Sequence, residues 1–300
     1  MKAREGENSP WLSDKTQNDM KTKWFTIGLC LLLAGFTACK KDNGDNGNND
    51  SDTQQTEGSL SGVFSVGNGK TVRFSQGNLQ YQASTDTWRF AEHQYDCIGN
   101  SNSNISLFYQ GWVDLFGWGT SGYNDINPWL IDYDMEANSI TGSTYDWGLN
   151  NAISNGGNKA GLWHLLTIDE WGYIVHSRNG SRFAKATVNN VRGLLLLPDG
   201  WSTVTYSLNA INDAEGGYES NYISATDWSD ILEANGVVFL PCAGIREGTT
   251  VNYVNGFGRY WSSTYIEKAR SLFIHQSDVR PEGADYHWGL AVRLVQDINP

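Results

Sequence analysis

Polar and apolar residues alternate from Gly62 onward as a half-buried sheet requires, because successive strand side chains point to opposite faces. Val63-Phe64-Ser65-Val66, a Gly67-Asn68-Gly69 turn and Thr71-Val72-Arg73-Phe74 predict one hairpin. A turn at Gly77-Asn78 leads to Leu79-Gln80-Tyr81, and Thr87-Trp88-Arg89-Phe90 follows after Ser84-Thr85-Asp86. The same signal returns at residues 251–254, 258–264, 271–274 and 290–295. Two continuous apolar runs, 191–197 before Pro198-Asp199-Gly200 and 237–240 before Pro241, predict buried strands.

One helix is announced by its start. Thr167-Ile168-Asp169-Glu170 reads as a capping box, in which the Thr167 side chain bonds the Glu170 amide and Glu170 reaches back. Trp171, Ile174 and Val175 then fall on one helical face, and Asn179-Gly180 supplies a left-handed C-cap. A second helix is expected over 227–235, with Gly236 behind it. Between Gly99 and Gly157 no period survives, yet Trp112, Phe116, Trp118, Tyr123, Trp129, Tyr133, Tyr145 and Trp147 lie there. Such a stretch reads as a functional loop region, since its aromatic content argues against disorder. No fixed internal period points to a propeller or solenoid. The pattern predicts a single α+β domain over residues 59–300.

Composition sharpens this picture in two places. Gly at 33 of 300 residues, with 13 Trp and 14 Tyr, suits short strands joined by turns around an aromatic core. The net charge of −12 leaves no source for phosphate neutralisation, so nucleic acid is not an expected partner.

The N-terminal residues carry a targeting signal. Lys21 and Lys23 precede an apolar run from Trp24 to Phe36, the length of a signal-peptide core and short for a membrane span. Phe36-Thr37-Ala38-Cys39 resembles a bacterial lipobox, with Phe36 where Leu is usual, and Lys40-Lys41-Asp42 resembles the surface-export signal of Bacteroidetes lipoproteins. The resemblance implies residues 20–38 as lipoprotein signal peptide, Cys39 as the site of lipid attachment, and an outer-membrane, cell-surface location. Residues 1–19 read as an extension upstream of a start at Met20. The Asn/Gly/Asp-rich residues 39–58 lack apolar surface to bury and read as a disordered tether.

Motifs for chemistry are sparse. Cys97 and Cys242 remain in the domain, either as one disulfide or as two thiols, and without Cys-x-x-Cys spacing they predict no metal site. No cofactor is expected. His93, His164, His176, His275 and His287 sit in no nucleophile or zinc motif. A glycosidase needs two converging carboxylates, and Asp132, Asp134, Asp146, Asp169 and Glu170 could supply pairs, although Glu170 already has a capping role. The aromatic loop region is the stronger candidate, because indole and phenol rings give large rigid contact area at small entropic cost. Trp112, Trp118, Tyr123 and Trp129, with Asp114 and Asp125 beside them, are the candidate ligand-binding residues. Inward packing of the same rings to hold the loops is the competing reading.

Three ordered motifs carry a family resemblance. Residues 163–173, Trp-His-Leu-Leu-Thr-Ile-Asp-Glu-Trp-Gly-Tyr, resemble the capped helix of C-type-lectin-like domains of the formylglycine-generating-enzyme type. Gly258-Arg259-Tyr260-Trp261-Ser262-Ser263-Thr264 is similar to their Tyr-Trp-Ser-Ser-Thr strand, and residues 289–295 to their closing strand. The set resembles the Fibrobacter succinogenes major paralogous domain of Bacteroidetes lipoproteins. The resemblance implies an irregular antiparallel sheet with about two flanking helices, long loops and adjacent chain ends. It makes Thr167, Glu170, Trp171, Trp261 and Arg293 structural residues. Cys97 and Cys242 match no formylglycine-generating cysteine pair, so that activity is not implied. The expectation is a non-catalytic, surface-anchored module that binds an extracellular glycan or protein. The alternatives are a carbohydrate-active enzyme using loop carboxylates and a structural or adhesin subunit.

Overall fold

Turn chemistry sets the first hairpin. β1 (Phe64–Gly67) and β2 (Lys70–Phe74) pair antiparallel around Asn68 and Gly69, whose φ values of 53° and 75° suit the tight turn between twisted strands. The computed structural model describes residues 56–298. The predicted extension at 1–19, the signal peptide at 20–38, Cys39 and the tether as far as residue 55 lie outside the described residues.

β3 (Leu79–Gln82) and β4 (Thr87–Phe90) form the second hairpin. After a long irregular stretch come α1 (Trp147–Asn150) and α2 (Ile168–Gly172), the latter running on as a π-helical turn over Tyr173–Ser177. β5 (Phe183–Val188), β6 (Val191–Leu196), β7 (Tyr222–Ile223) and β8 (Val238–Pro241) build one sheet in the order β7-β5-β6-β8. α3 (Ala225–Asp227) and a π-helical turn over Trp228–Glu233 lie between β7 and β8. β9 (Ile245–Glu247) and β10 (Thr250–Asn252) pair, and β11 (Gly258–Ile266), β12 (Lys268–His275) and β13 (Asp278–Ala284) form a meander. β14 (Val295–Asp297) returns to β2, placing Val295 opposite Phe74. The fold is mixed α+β with mostly antiparallel sheets and few helices.

The expected capping box is present: the Thr167 hydroxyl accepts the Glu170 amide at 3.2 Å, and Glu170 accepts the Thr167 amide at 2.8 Å. The helix ends at Ser177, before Asn179-Gly180 as expected, although the capping residue is Arg178 and not that pair. The Arg178 guanidinium turns inward from this cap to meet Asp199 at 2.7 Å and the Leu197 carbonyl at 2.7 Å. Residues 290–295 are not the regular strand their pattern suggests; only Val295 enters a ladder, while Leu290 and Ala291 make isolated bridges to Phe116 and Tyr260. Two long strands carry no sequence signal of their own. β5 is buried along its whole length yet contains Lys185, and β13 contains Pro281, tolerated because β13 is an edge strand.

The irregular residues 99–157 are held from within. Trp118 and Trp147 are fully buried, and their indole N–H groups donate to the Ser262 and Thr120 carbonyls at 2.8 and 3.0 Å. Two buried carboxylates do the same from the acceptor side. Asp114 takes the Ile98 amide at 3.0 Å and the Asn102 side-chain amide at 2.7 Å, while Asp146 takes the Leu165 and Gly148 amides at 2.7 and 3.1 Å. All but the Asn102–Asp114 side-chain pair satisfy backbone groups that would otherwise be buried without a partner.

Burial outweighs these donors and pushes both the Asp114 and the Asp146 carboxyl up to about 6. An acid raised in the folded state holds its proton more tightly folded than unfolded. Its stabilising contribution is therefore complete below about pH 4 and is lost as pH rises through about 6. For Asp114 the loss is about 3 kcal/mol. Urea unfolding at pH 4 and pH 7.5 should show Asp114→Asn losing less stability between the two than the wild type, by about that amount. Parallel pH profiles would refute this.

Candidate functional site: an aromatic groove on the β11–β13 meander

Strand alternation divides the β11–β12–β13 meander into two faces. Tyr260, Leu272, Ile274 and Val279 are buried in the core, so Arg259, Phe273, His275 and Arg280 point the other way. Register places Arg259 opposite Phe273 and Phe273 opposite Arg280, a single row across the sheet. The guanidinium carbons of Arg259 and Arg280 lie 4.6 and 5.2 Å from the Phe273 ring centre, within cation–π range. In the next row His275 stands opposite Asp278, and its ring runs parallel to that of Phe273 at 5.8 Å.

The turn after β10 adds two more rings. Tyr253 adopts φ 61°, a left-handed conformation that costs a bulky residue about 1–2 kcal/mol. The turn is secured on both sides. The Tyr253 carbonyl accepts the amides of Gly256 and Phe257 at 2.8 and 3.3 Å, and Asn255 takes the Arg192 amide at 2.6 Å while giving its own amide to the Cys242 carbonyl at 2.8 Å. Tyr253 is thereby held 60% exposed, stacked on Phe257 at 4.6 Å, and Phe257 meets Phe273 edge-on at 5.5 Å. These rings and His275, with Ser277, Asp278 and Arg280 around them, line an open groove of about 510 Å³.

The charges here are matched. Arg280 pairs with Asp278 and, at 2.9 Å, with Glu282, which also receives Arg259. Burial draws the Arg259 guanidinium below its usual value, and Glu282 offsets part of that. The Ser277 hydroxyl lies 3.1 Å from His275 Nδ1. Such a surface can stack on an apolar ring face while giving hydrogen bonds to hydroxyls around it. It has no unpaired charge with which to hold an ion. Among the described residues no cluster of His, Cys, Asp or Glu has the arrangement to hold a metal.

The residues singled out in the loop region do not form one surface. Trp118 is buried against Tyr265 at 5.8 Å and presents no face to a ligand, which corrects its assignment as a ligand contact. Trp112 is half-buried under Arg89, whose guanidinium carbon is 3.8 Å from its ring centre. Trp129 is half-buried on Tyr81, with ring centres 6.1 Å apart, and Tyr123 is exposed but edge-on to Tyr145 at 5.0 Å. Asp125 is exposed, and Asp114 is buried. Of the carboxylates weighed for glycosidase chemistry, Asp146 is buried with its oxygens given to backbone amides.

The structural residues sit in the core or at its edge. Trp171 and Trp261 are fully buried, with indole nitrogens on the Trp261 and Phe116 carbonyls at 3.4 and 2.7 Å. Arg293 is buried without a carboxylate, donating to the Asn78 and Gln94 side-chain oxygens. Burial lowers it to about 10, so it stays charged at pH 7. Cys97 and Cys242 are free thiols, and burial pushes Cys242 up to about 12. The groove residues Tyr253, Phe257, Phe273 and His275 escaped the sequence reading, although the alternation Leu272-Phe273-Ile274-His275 contained their signal.

No protein-family model, curated protein or solved structure matches the chain.

Two substitutions separate display from support. Tyr253→Gly relieves the left-handed backbone and gives up one stacking contact, so stability should stay within about 1 kcal/mol of wild type. Trp118→Phe strands the Ser262 carbonyl and opens a void, and should cost about 2–4 kcal/mol. Denaturant unfolding of both variants measures this; equal effects would mean that Tyr253 is a packing residue.

Proposed function

We propose that the folded body is a non-catalytic recognition module that takes an uncharged stretch of extracellular glycan in the Tyr253–Phe257–Phe273–His275 groove. The observation that carries this reading is an exposed Tyr253 ring, held in a costly backbone conformation, at the head of a half-buried row of rings inside a rim of mutually paired charges. Backbone strain that persists at an exposed aromatic is maintained by its surroundings and clusters at ligand sites. Asp278 and Glu282, the carboxylates nearest the rings, are engaged by arginines, which favours binding over acid–base hydrolysis. The motif trio supports the finer reading of the fold as C-type-lectin-like, alongside its antiparallel sheets and capped helix. The basic and apolar residues 20–38 and Cys39 support lipid anchorage at the outer surface of the outer membrane.

One observation favours a protein partner as a second reading. Leu107 and Phe108 are 48% and 79% exposed at adjacent positions of the loop region, an arrangement that water does not favour.

A glycan-array screen of the purified protein, with and without chelator, tests the first reading. Binding should be saturable, indifferent to chelator, and weakened at least tenfold, about 1.4 kcal/mol, by Tyr253→Gly. It should persist in Trp129→Ala. Loss in Trp129→Ala alone would return the site to the loop region. An array without hits would overturn the glycan reading in favour of the Leu107–Phe108 surface.

A further inference from the structure

The other face of the same meander carries a second groove, and its chemistry differs. Along β12, Arg270, Leu272 and Ile274 point toward α2 and the core, opposite in direction to Phe273 and His275. Leu272 and Ile274 are covered, whereas Arg270 lies at the end of the row where the packed helix leaves a hollow of about 410 Å³. Gly172 and Gly283 help to keep it open: a Cβ at 283 would stand 3.4 Å from Arg270 Nη1, and one at 172 would stand 3.6 Å from Pro281.

Arg270 is singular among the described arginines. Every other one donates to a protein acceptor. The Arg270 guanidinium has no hydrogen bond and no ion pair; its Nε, like those of Arg178, Arg246 and Arg293, is shut off from solvent with no partner, but only in Arg270 do the terminal nitrogens go unpaired as well. Leaving a buried donor unmet is costly, and more so for a charged group. Tyr173, His176 and Ser177 line the same hollow, and none of their side-chain polar atoms bonds to another protein group. Burial and the Arg182 guanidinium lower His176, so it is neutral at pH 7. Ile168, Ile266 and Pro281 supply apolar wall, and the exposed Asp169 carboxylate adds one negative charge.

We propose that this hollow binds the carboxylate of a small ring acid of the hexuronate class, received by the forked N–H groups of Arg270. The fork matches a planar carboxylate, the hydroxyl and imidazole groups suit ring hydroxyls, and the apolar wall takes the ring face. A single unpaired guanidinium beside Asp169, in a protein of net charge −12, disfavours a dianion. The site is independent of the aromatic groove, because the two lie on opposite faces of β12.

Calorimetric titration of the full-length protein with D-glucuronate, D-glucose and sulfate tests the proposal. Glucuronate should bind saturably and more tightly than either control. Arg270→Gln should weaken it at least tenfold and Arg270→Lys by a smaller factor, since an ammonium ion lacks the fork. Asp169→Asn should tighten binding several-fold, a gain that misfolding does not produce. Tyr253→Gly should leave glucuronate affinity unchanged, so a failed glycan array and a failed titration are separate results. Absence of glucuronate binding, equal binding by wild type and Arg270→Gln, or sulfate binding as tightly as glucuronate would each overturn it.

Discussion

The backbone of residues 289–295 is the bolt on which the other pieces hang. Gly289 exchanges hydrogen bonds with Arg246 at 2.7 and 2.9 Å, Leu290 pairs with Phe116, and Ala291 takes the Trp261 amide at 3.0 Å. The carbonyls of Val292 and Leu294 accept Leu79 and Ser75 at 2.9 Å each, and Val295 closes on His164. One short segment thus satisfies the first hairpins, the loop region, the approach to α2, and both β9 and β11. A conventional strand with two neighbours could not reach so many partners. The irregular course of the segment is what such distribution requires, since buried backbone groups must all be paired.

Two buried cations reinforce the bolt. Arg293 leaves it toward Asn78 and Gln94, and the Gln94 amide N–H in turn donates to the Glu233 carboxylate at 2.9 Å. Arg246 crosses over Gly289 to the carbonyls of Gly248 and Leu115 at 2.8 and 3.3 Å. A Cβ at 289 would fall 2.9 Å from the Arg246 Nε, so only glycine allows this passage. Neither cation meets a carboxylate directly. Amide and carbonyl dipoles carry the compensation, which ties distant loops to one point and makes both residues intolerant of an uncharged replacement that leaves those acceptors unmet.

Much of the framework was legible because its causes are local. The Asn68-Gly69 turn, the alternation through Arg73 and Phe74, and the Thr167–Glu170 box each encode their structure within a few residues. The end of that helix before Asn179-Gly180 was legible too, whereas its π-helical turn and the inward reach of Arg178 to Asp199, 21 positions away, were not. β5 hid behind Lys185, whose ammonium group reaches the Ala214 carbonyl and, at 2.9 Å, that of Gln276. A lysine in a buried strand breaks the period on which strand recognition depends. Residues 290–295 look like a strand because burial on all sides produces the same apolar run.

The burial of Trp118 was hidden for a related reason. Aromatic density in 99–157 suggested display, but in chain without ladders an indole has a structural use: it fills volume and carries an N–H to a stranded carbonyl. Trp118 and Trp147 do this, at Ser262 and Thr120. Rings left partly open to solvent occur instead where backbone needs are already met by a sheet, as at Phe273 and His275. Rigid strands then fix the spacing of the rings, while the anchored turn fixes Tyr253, so the proposed groove is ordered in advance. The meander separates two surfaces by strand parity alone, with paired charges around rings on one face and the unpaired guanidinium of Arg270 on the other.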